Sequence, residues 1–360
     1  MFRKPITGGI ILLFLLSSSV PFVSSYEVYT NNIIYVDDDG TADYTRIQDA
    51  IDNASDDDTV FVYSGVYYEC IAIHKSLTLQ GEDRNTTFID GRSDNTDIIS
   101  VNHDWVTISG FTVTNGTNYY ENEDDFEAGI KLNSNKNIIT NNIINVKNFA
   151  GIMLLTSSGN TITNNIITNN TFMGIILEDS LYNKITKNTI RHTIDGISVN
   201  PSSDNNIIKE NIVTCNEEHG IYICSSSGNI IESNSVNNNY FGIVLEYPPG
   251  NIVSTNTITN NKYGIFLWEG TDNTITENII TYNNYSGVRA FEFSKNNTIK
   301  ENIVSNNKRH GIQLDFLSNN NTISKNIISN NGEDGIILDC SSKNMISGNT
   351  IKKIMTGASI

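Results

Sequence analysis

The feature that most constrains this chain is one phrase, Asn-x-Ile/Val-x-x-Asn-x-Ile/Val, which occurs ten times. Its first asparagine runs from Asn137, Asn160 and Asn183 through to Asn344, and its second from Asn142, Asn165 and Asn188 through to Asn349. Successive copies lie 22 to 24 residues apart. A second phrase, Gly-Ile/Val-x-Leu in its commonest form, opens eight to ten residues before each copy, from Gly129 and Gly151 to Gly335. A fixed period of this size is the mark of a stacked array.

Each repeat holds three short apolar pieces, such as Ile265-Phe266-Leu267, Ile275 and Ile280, separated by Asn, Gly, Ser and Thr. The alternation has period two, which is the strand period. Ile and Val dominate, as strands prefer. A lone repeat cannot bury its apolar face. Coiling the chain stacks each strand in parallel on its copy one turn later, about 4.8 Å away. The expectation is an all-β, right-handed, three-sheet parallel β-helix. One interior column is predicted to run from Ile130 through Ile152, Ile175, Ile197, Ile221, Ile243, Ile265, Val288 and Ile312 to Ile336. The asparagines are expected to stack in register, each amide donating to one neighbour and accepting from the other. They are also expected to take the left-handed backbone that a sharp corner requires. A looser third column is read at Asn169, Asn238, Asn260, Asn306 and Asn330.

Residues 1–25 read as a signal peptide. Arg3 and Lys4 precede the apolar run Ile10–Leu16, which is too short to span a membrane, and Val23-Ser24-Ser25 supplies a cleavage site. Residues 26–128 read as an N-terminal cap and irregular first turns, with 129–360 the regular array. In the first part, Thr45 and Gln48 have the spacing of a capping box. Ile47, Ala50, Ile51 and Ala54 follow at helical spacing. This short helix is expected to cover the open end of the interior. No capping element follows Lys352-Lys353-Ile354-Met355-Thr356-Gly357, so either the array ends open and packs on a partner there, or the sequence is part of a longer protein.

The chain carries a formal net charge of −17. Such a surface repels nucleic acid and anionic lipid and suits an exported protein, whether secreted, periplasmic or at the cell surface. The four cysteines show no CxxC spacing, and Cys70, Cys215, Cys224 and Cys340 read as small core fillers. Asp37, Asp38, Asp39 and Asp43 include oxygen donors that calcium would accept, but their spacing reads as a turn, and no cofactor is required.

Tyr35-Val36-Asp37-Asp38-Asp39-Gly40, Tyr44-Thr45-Arg46-Ile47-Gln48, Val62-Tyr63-Ser64-Gly65-Val66-Tyr67 and Leu77-Thr78-Leu79-Gln80-Gly81-Glu82 resemble the opening of NosD-type and pectin-lyase-fold proteins. The Gly-Ile-x-Leu and Asn-x-Ile phrases resemble the β-helix repeats of the same group. The resemblance covers nearly all of the chain after residue 25. It implies the β-helix fold and membership of the carbohydrate-binding and sugar-hydrolase domain family. The NosD name also implies a link to copper.

The catalytic set of a polygalacturonase-like enzyme is absent. His219-Gly220 and His310-Gly311 are its nearest pieces, and the slot before each Gly reads as surface variation. The row two residues after each Gly is expected to point outward, from Lys131 and Met153 to Gln313 and Ile337. Together with the strand ends it gives the candidates for a glycan surface: Tyr222, Glu246, Tyr247, Phe266, Trp268, Glu269, Arg289, Phe291, Glu292, Gln313 and Asp315. Sugars stack on flat aromatic faces and hydrogen-bond to carboxylates. The bland reading of the same residues is a solvated acidic face with aromatics supporting the sheet.

The favoured function is a non-catalytic surface β-helix that binds a polysaccharide or cell-envelope glycan. One alternative is a polysaccharide lyase or glycoside hydrolase with a divergent site, for which Glu269 and Glu292 on neighbouring turns are the candidate pair. The other is a copper-linked accessory protein, for which Cys215, His219 and Cys224 are the candidate ligands.

Overall fold

The structure, a computed structural model, describes residues 31–92, 96–116, 126–247 and 249–352. The expected signal peptide, most of the acidic stretch Asn115–Asp125, and the end of the chain from 353 lie outside those residues. From Asn32 onward the chain coils into three parallel sheets, here called A, B and C, of 14, 13 and 12 strands. In every turn the path visits sheets C, A and B in order, as Tyr263–Trp268, Thr274–Thr276 and Ile279–Thr281 illustrate. All pairings are parallel and nearly all join a strand to its copy one turn away.

The predicted interior column forms. Ile243 pairs with Ile221 and Ile265, and Ile265 with Val288. Every member from Ile130 to Ile312 is fully buried, while Ile336, in the last described turn of sheet C, is half-buried. Ile99 and Ile71 extend the column toward the N-terminal end. Sheets A and B each add a column from the middle residue of a Thr-Ile-Thr-like strand, such as Ile162 and Ile167. The middle Ile or Val therefore faces inward, while most flanking residues, whether threonines such as Thr161 or isoleucines such as Ile279, point outward.

The repeat glycines are required by close approach. A Cβ on Gly264 would lie 2.3 Å from the carbonyl oxygen of Gly287 in the next turn. No side chain fits between two turns so closely stacked.

The asparagine ladders form, with one change to the expected backbone. Asn160 Nδ2 donates to Asn183 Oδ1 at 3.1 Å, and that oxygen also accepts the Asn160 backbone N–H at 2.8 Å. The same Nδ2 donates to the Ser134 carbonyl at 3.2 Å. Such an amide satisfies the corner of its own turn and of its neighbours, which keeps the buried polar group from being a cost; Asn229, whose Nδ2 has no partner, is an exception. The ladder asparagines are not the left-handed residues. That conformation falls on the preceding position, at Asn141, Asn164, Lys187 and Glu210, with φ between 55° and 56°. The corner needs one residue to reverse the chain and another to turn its amide inward, and one residue cannot do both. The third column is corrected for the same reason. Asn169, Asn238 and Asn260 are left-handed corner residues, and the buried ladder lies one position later, at Asn170, Asn216, Asn239, Asn261, Asn283, Asn307 and Asn331.

At the N-terminal end the helix Ile47–Asn53 buries Ile47, Ala50 and Ile51 against the first strands. The capping box is not made: Arg46 is the N-cap and gives no side-chain cap bond. Glu69 supplies the cap from a distant part of the chain, accepting the N–H groups of Ile47 at 2.8 Å and Gln48 at 3.1 Å. A carboxylate reaching in from another turn outcompetes the local threonine because it meets two orphan donors at once. Gln48 is thereby freed to pair with the edge strand Ile71–Ile73: its Oε1 accepts the Ala72 N–H and its Nε2 donates to the Ala72 carbonyl. Lys75 closes the other end of the helix, donating to the carbonyls of Ile51, Asp52 and Ala54. At the opposite end Met345, Ile346 and Ile351, in the last described strands of sheets A and B, are exposed.

The cysteines correct another expectation. None of the four is a core filler, since Cys215 and Cys340 are exposed and Cys70 and Cys224 half-buried. The aspartates of the opening turn hold backbone groups: Asp43 accepts the Tyr35 N–H, Asp39 that of Thr41, and Asp38 that of Val66.

Candidate functional site

The glycan candidates come together on the outer face and trailing edge of sheet C, in three adjacent columns. Tyr222, Val244, Phe266, Arg289 and Gln313 pair in succession along the middle of the strands. Cys224, Glu246, Trp268 and Phe291 form the next column, at the strand ends. Tyr247, Glu269 and Glu292 follow at the corner, each left-handed with φ between 48° and 54°. The left-handed corner splays these side chains away from the sheet. The strand period therefore fixes the first two columns and the corner fixes the third.

The middle column is not the open row that alternation predicts. Met153, Ile176, Ser198, Val244 and Phe266 point away from the interior yet are buried. They are covered from the leading edge of the sheet, where the slot before each glycine is an organised column rather than surface variation. Ala128, Ala150, Met153 and Ile176 make a second apolar cluster under Phe126, Phe149 and Met173. Farther along, His219, Phe241 and Tyr263 stack face to face with ring centroids 5.4 Å and 5.0 Å apart. One position earlier, Lys262 sits over Tyr240 and Arg309 over Tyr285, at 3.9 Å and 4.5 Å from the ring centroids. Reading the positions one and two before each glycine as columns reveals both ladders in the sequence.

Arg289 and Asp315 are held by each other. The Arg289 Nε–H donates to the almost fully buried Asp315 carboxylate at 2.7 Å, and Gln313 Nε2 donates to the same group at 2.9 Å. The Arg289 guanidinium also lies 4.7 Å from the Phe291 centroid. These residues are a rigid shoulder, and Asp315 has no face left for a ligand. Tyr222 donates its hydroxyl to Glu246, and burial followed by that bond raises the hydroxyl pKa well above the ordinary tyrosine range.

The accessible part is the corner. Trp268 is 37% exposed and Tyr247 46% exposed, with ring centroids 6.3 Å apart. The Trp268 indole N–H donates to Glu292 at 3.0 Å. Partial desolvation, then the charges of Glu269, Glu246 and Glu292, hold the Tyr247 hydroxyl above its ordinary pKa. Phe316 and Leu317, at 53% and 49% exposure, continue the apolar surface into the next turn. Two clefts lie elsewhere, one against Tyr35, Asp37 and Tyr63 and the other against Arg84, Asn141 and Lys187. The corner is an open platform and not a pocket.

The soft-metal candidates do not converge. Cys215 is an exposed corner residue after sheet B, while Cys224 ends a strand of sheet C with its Sγ 3.7 Å from Ser225 Oγ. Among the described residues, the metal-ligating atoms that cluster within 4.8 Å of one another belong to Asp195, Glu218 and His219, with no cysteine. Thiolate and thioether donors select copper(I), and this set has neither. Asp195 and Glu218 escaped the sequence reading because they become neighbours of His219 only when one turn is laid on the next.

The comparisons with known proteins follow this geometry. The family model described as "Periplasmic copper-binding protein (NosD)" matches residues 51–241, 202–292 and 242–360. No curated protein matches the chain. Among solved structures, the mannuronan C-5 epimerase AlgE6 A-module of Azotobacter vinelandii superposes with a TM-score of 0.70 at 14% identity, over 85% of this chain and 94% of that one. The Dettilon tailspike protein gives 0.66 at 17% identity, over 89% and 68%. DFA-IIIase from Arthrobacter chlorophenolicus A6 gives 0.56 at 13% identity, over 80% and 83%. At these identities the likeness is one of fold. No helix among the described residues is long and apolar enough to cross a membrane.

Proposed function

This chain belongs to the NosD family, and from that premise we propose that it is an exported β-helix protein that binds polysaccharide at the sheet C corner without cleaving it. The observation that carries the reading is the Tyr247–Trp268 pair, two exposed flat rings among three carboxylates on successive turns. Aromatic faces take the apolar faces of sugar rings, and the carboxylates accept their hydroxyls. The turns repeat about every 4.8 Å, roughly the length of one sugar residue, so an open corner suits a polymer lying along the stack. The family description places its members in the periplasm, which agrees with export. Three negative charges on the platform favour neutral or cationic sugars over uronates.

Cleavage is the second reading. It rests on Glu269 and Glu292, which occupy the same corner position on neighbouring turns, linked through the Glu269 N–H to the Glu292 carbonyl at 3.1 Å. The spacing of about 5 Å between turns is near that of a retaining glycosidase pair. Against it, Glu292 is engaged by the Trp268 indole. The copper reading is supported only by the family description, since Cys215, His219 and Cys224 do not form one site.

A glycan array probed with the purified protein, run beside assays for reducing ends and unsaturated products, separates the readings. Binding that is lost in Trp268→Ala, with no product from any glycan bound, is the expected result. Bond cleavage that disappears in Glu269→Gln or Glu292→Gln would replace the binding role with an enzymatic one.

A further inference from the structure

The leading edge of sheet C holds a second set of groups unrelated to the carbohydrate platform's open corner. Asp195 opens the strand Asp195–Val199, and His219 opens the strand His219–Cys224 one turn later, preceded by Glu218. Their ligand atoms all lie within 4.8 Å of one another. His219 Nδ1 is 2.7 Å from Asp195 Oδ1, and the His219 backbone N–H donates to the same oxygen at 3.1 Å. Asp195 is 6% exposed and stands in a column that Ala150, Met173, Phe241 and Tyr263 fill in other turns, with His219 in the next turn and Ser286, His310 and Asp334 farther on. The fold does not need a carboxylate there, since apolar side chains fill the same slot in other turns.

A buried carboxylate is costly unless its charge is matched. One imidazole can match one carboxylate, and only when protonated. Glu218 brings a second carboxylate to the same imidazole, so the cluster holds more negative charge than His219 can balance. His310 shows the contrasting arrangement four turns on. There Glu333 lies 2.9 Å from Nε2 and Asp334 3.4 Å from Nδ1, so the two acids sit on opposite sides of the ring and the donors diverge. At His219 they converge.

We infer that Asp195, Glu218 and His219 form a binding site for a divalent cation of borderline hardness, of the Zn²⁺ class. Imidazole nitrogen with carboxylate oxygens is the donor set that such ions take, and three protein donors leave at least one position open. With metal–ligand distances of ~2.0–2.2 Å, neighbouring donors stand ~3–3.5 Å apart. The Asp195–His219 pair needs only a slight opening to reach this, and the exposed Glu218 side chain can swing in to close the third side. His219 is fixed for the task by stacking on Phe241 and on Tyr222, whose ring centroid is 4.8 Å away. The donor set lacks the sulfur that copper(I) selects.

The test uses the full chain freed of metal with a chelator. Zn²⁺ is titrated by calorimetry, Co²⁺ by its visible absorption, and copper(I) by competition with a chromogenic chelator under reducing conditions. One equivalent of Zn²⁺ is expected, with a tetrahedral or five-coordinate Co²⁺ spectrum and a rise in Tm on Zn²⁺ addition. Glu218→Gln, whose side chain is exposed, should weaken Zn²⁺ by about tenfold or more while leaving the metal-free Tm unchanged. His219→Ala should abolish binding and the Co²⁺ spectrum. Zn²⁺ affinity that is the same in the native chain and in Glu218→Gln overturns the site, as does an absence of Zn²⁺ and Co²⁺ binding. Copper(I) captured in preference to Zn²⁺, and lost in Cys224→Ser, would overturn it in favour of a soft site.

Discussion

The indole N–H of Trp268 points at the carboxylate of Glu292 one turn farther along, 3.0 Å away. The bond fixes the indole plane while leaving 37% of the residue open to solvent. A flat ring held still at the surface is a low-entropy partner for a sugar face. It also spends one carboxylate of the pair that a hydrolase would need.

Trp268→Ala is therefore expected to abolish glycan binding with a stability loss of at most about 1 kcal/mol, because the side chain is partly exposed. Glu292→Gln keeps an acceptor for the indole and should retain most binding. Binding isotherms together with urea midpoints check both. A Trp268→Ala protein that binds glycan as the native chain does would move the site elsewhere.

Asn256 makes four ladder bonds. Its Oδ1 accepts from the Asn234 backbone N–H and side chain, and its Nδ2 donates to Asn278 Oδ1 and the Ile231 carbonyl. Asn256→Ala leaves buried donors and acceptors unpaired and should cost roughly 2–4 kcal/mol. Asn256→Asp should be worse, because its carboxylate would face two acceptors with no proton to give. Denaturant titration ranks the pair.

Ile243 is fully buried between Ile221 and Ile265. Ile243→Asp puts an unpaired charge in the interior and should cost about 4 kcal/mol or more. Ile243→Val should cost only about 1 kcal/mol. Similar losses from both would mean that the position faces water.

The N-terminal helix shields an edge strand as well as the interior. Deleting residues 26–56 should expose the strand Ile71–Ile73 and give concentration-dependent aggregation, read by light scattering. Gln48→Ala removes the pairing to Ala72 and one bond to Asp52 but leaves the helix in place, and should show a milder form of the same effect. A truncated chain that stays monomeric at high concentration would make the cap dispensable.

Tyr67 is buried, with its hydroxyl donating to the Tyr63 carbonyl at 3.0 Å. Burial, then the charges of Asp38 and Asp37, raise its pKa from the ordinary 10.0. The folded state thus holds this proton where the unfolded state has lost it, so stability falls as pH rises above about 10. Tyr67→Phe should remove part of that fall and cost about 1 kcal/mol at neutral pH through the lost hydrogen bonds. Stability curves at pH 8 to 11 on both proteins give the comparison.

The repeat spacing carried the three sheets, the interior isoleucine column and the existence of asparagine ladders, because stacking identical turns leaves one register in which the apolar residues all face inward. It also carried the first two candidate columns of sheet C, those of Tyr222 and of Glu246, since strand alternation assigns their faces. Only the tertiary structure decided which of them are free. Asp315 is locked by Arg289, and Phe266 is covered by rings from the leading edge. Likewise Glu69 takes the helix cap from Thr45, and Asp195 meets His219 across a turn boundary. The polar pairings among these join residues 21 to 26 positions apart, where a side chain's reach and the competition for one donor decide the partner. The period of a solenoid is a property of the sequence alone. The pairing of charges across its turns is a property of the folded surface.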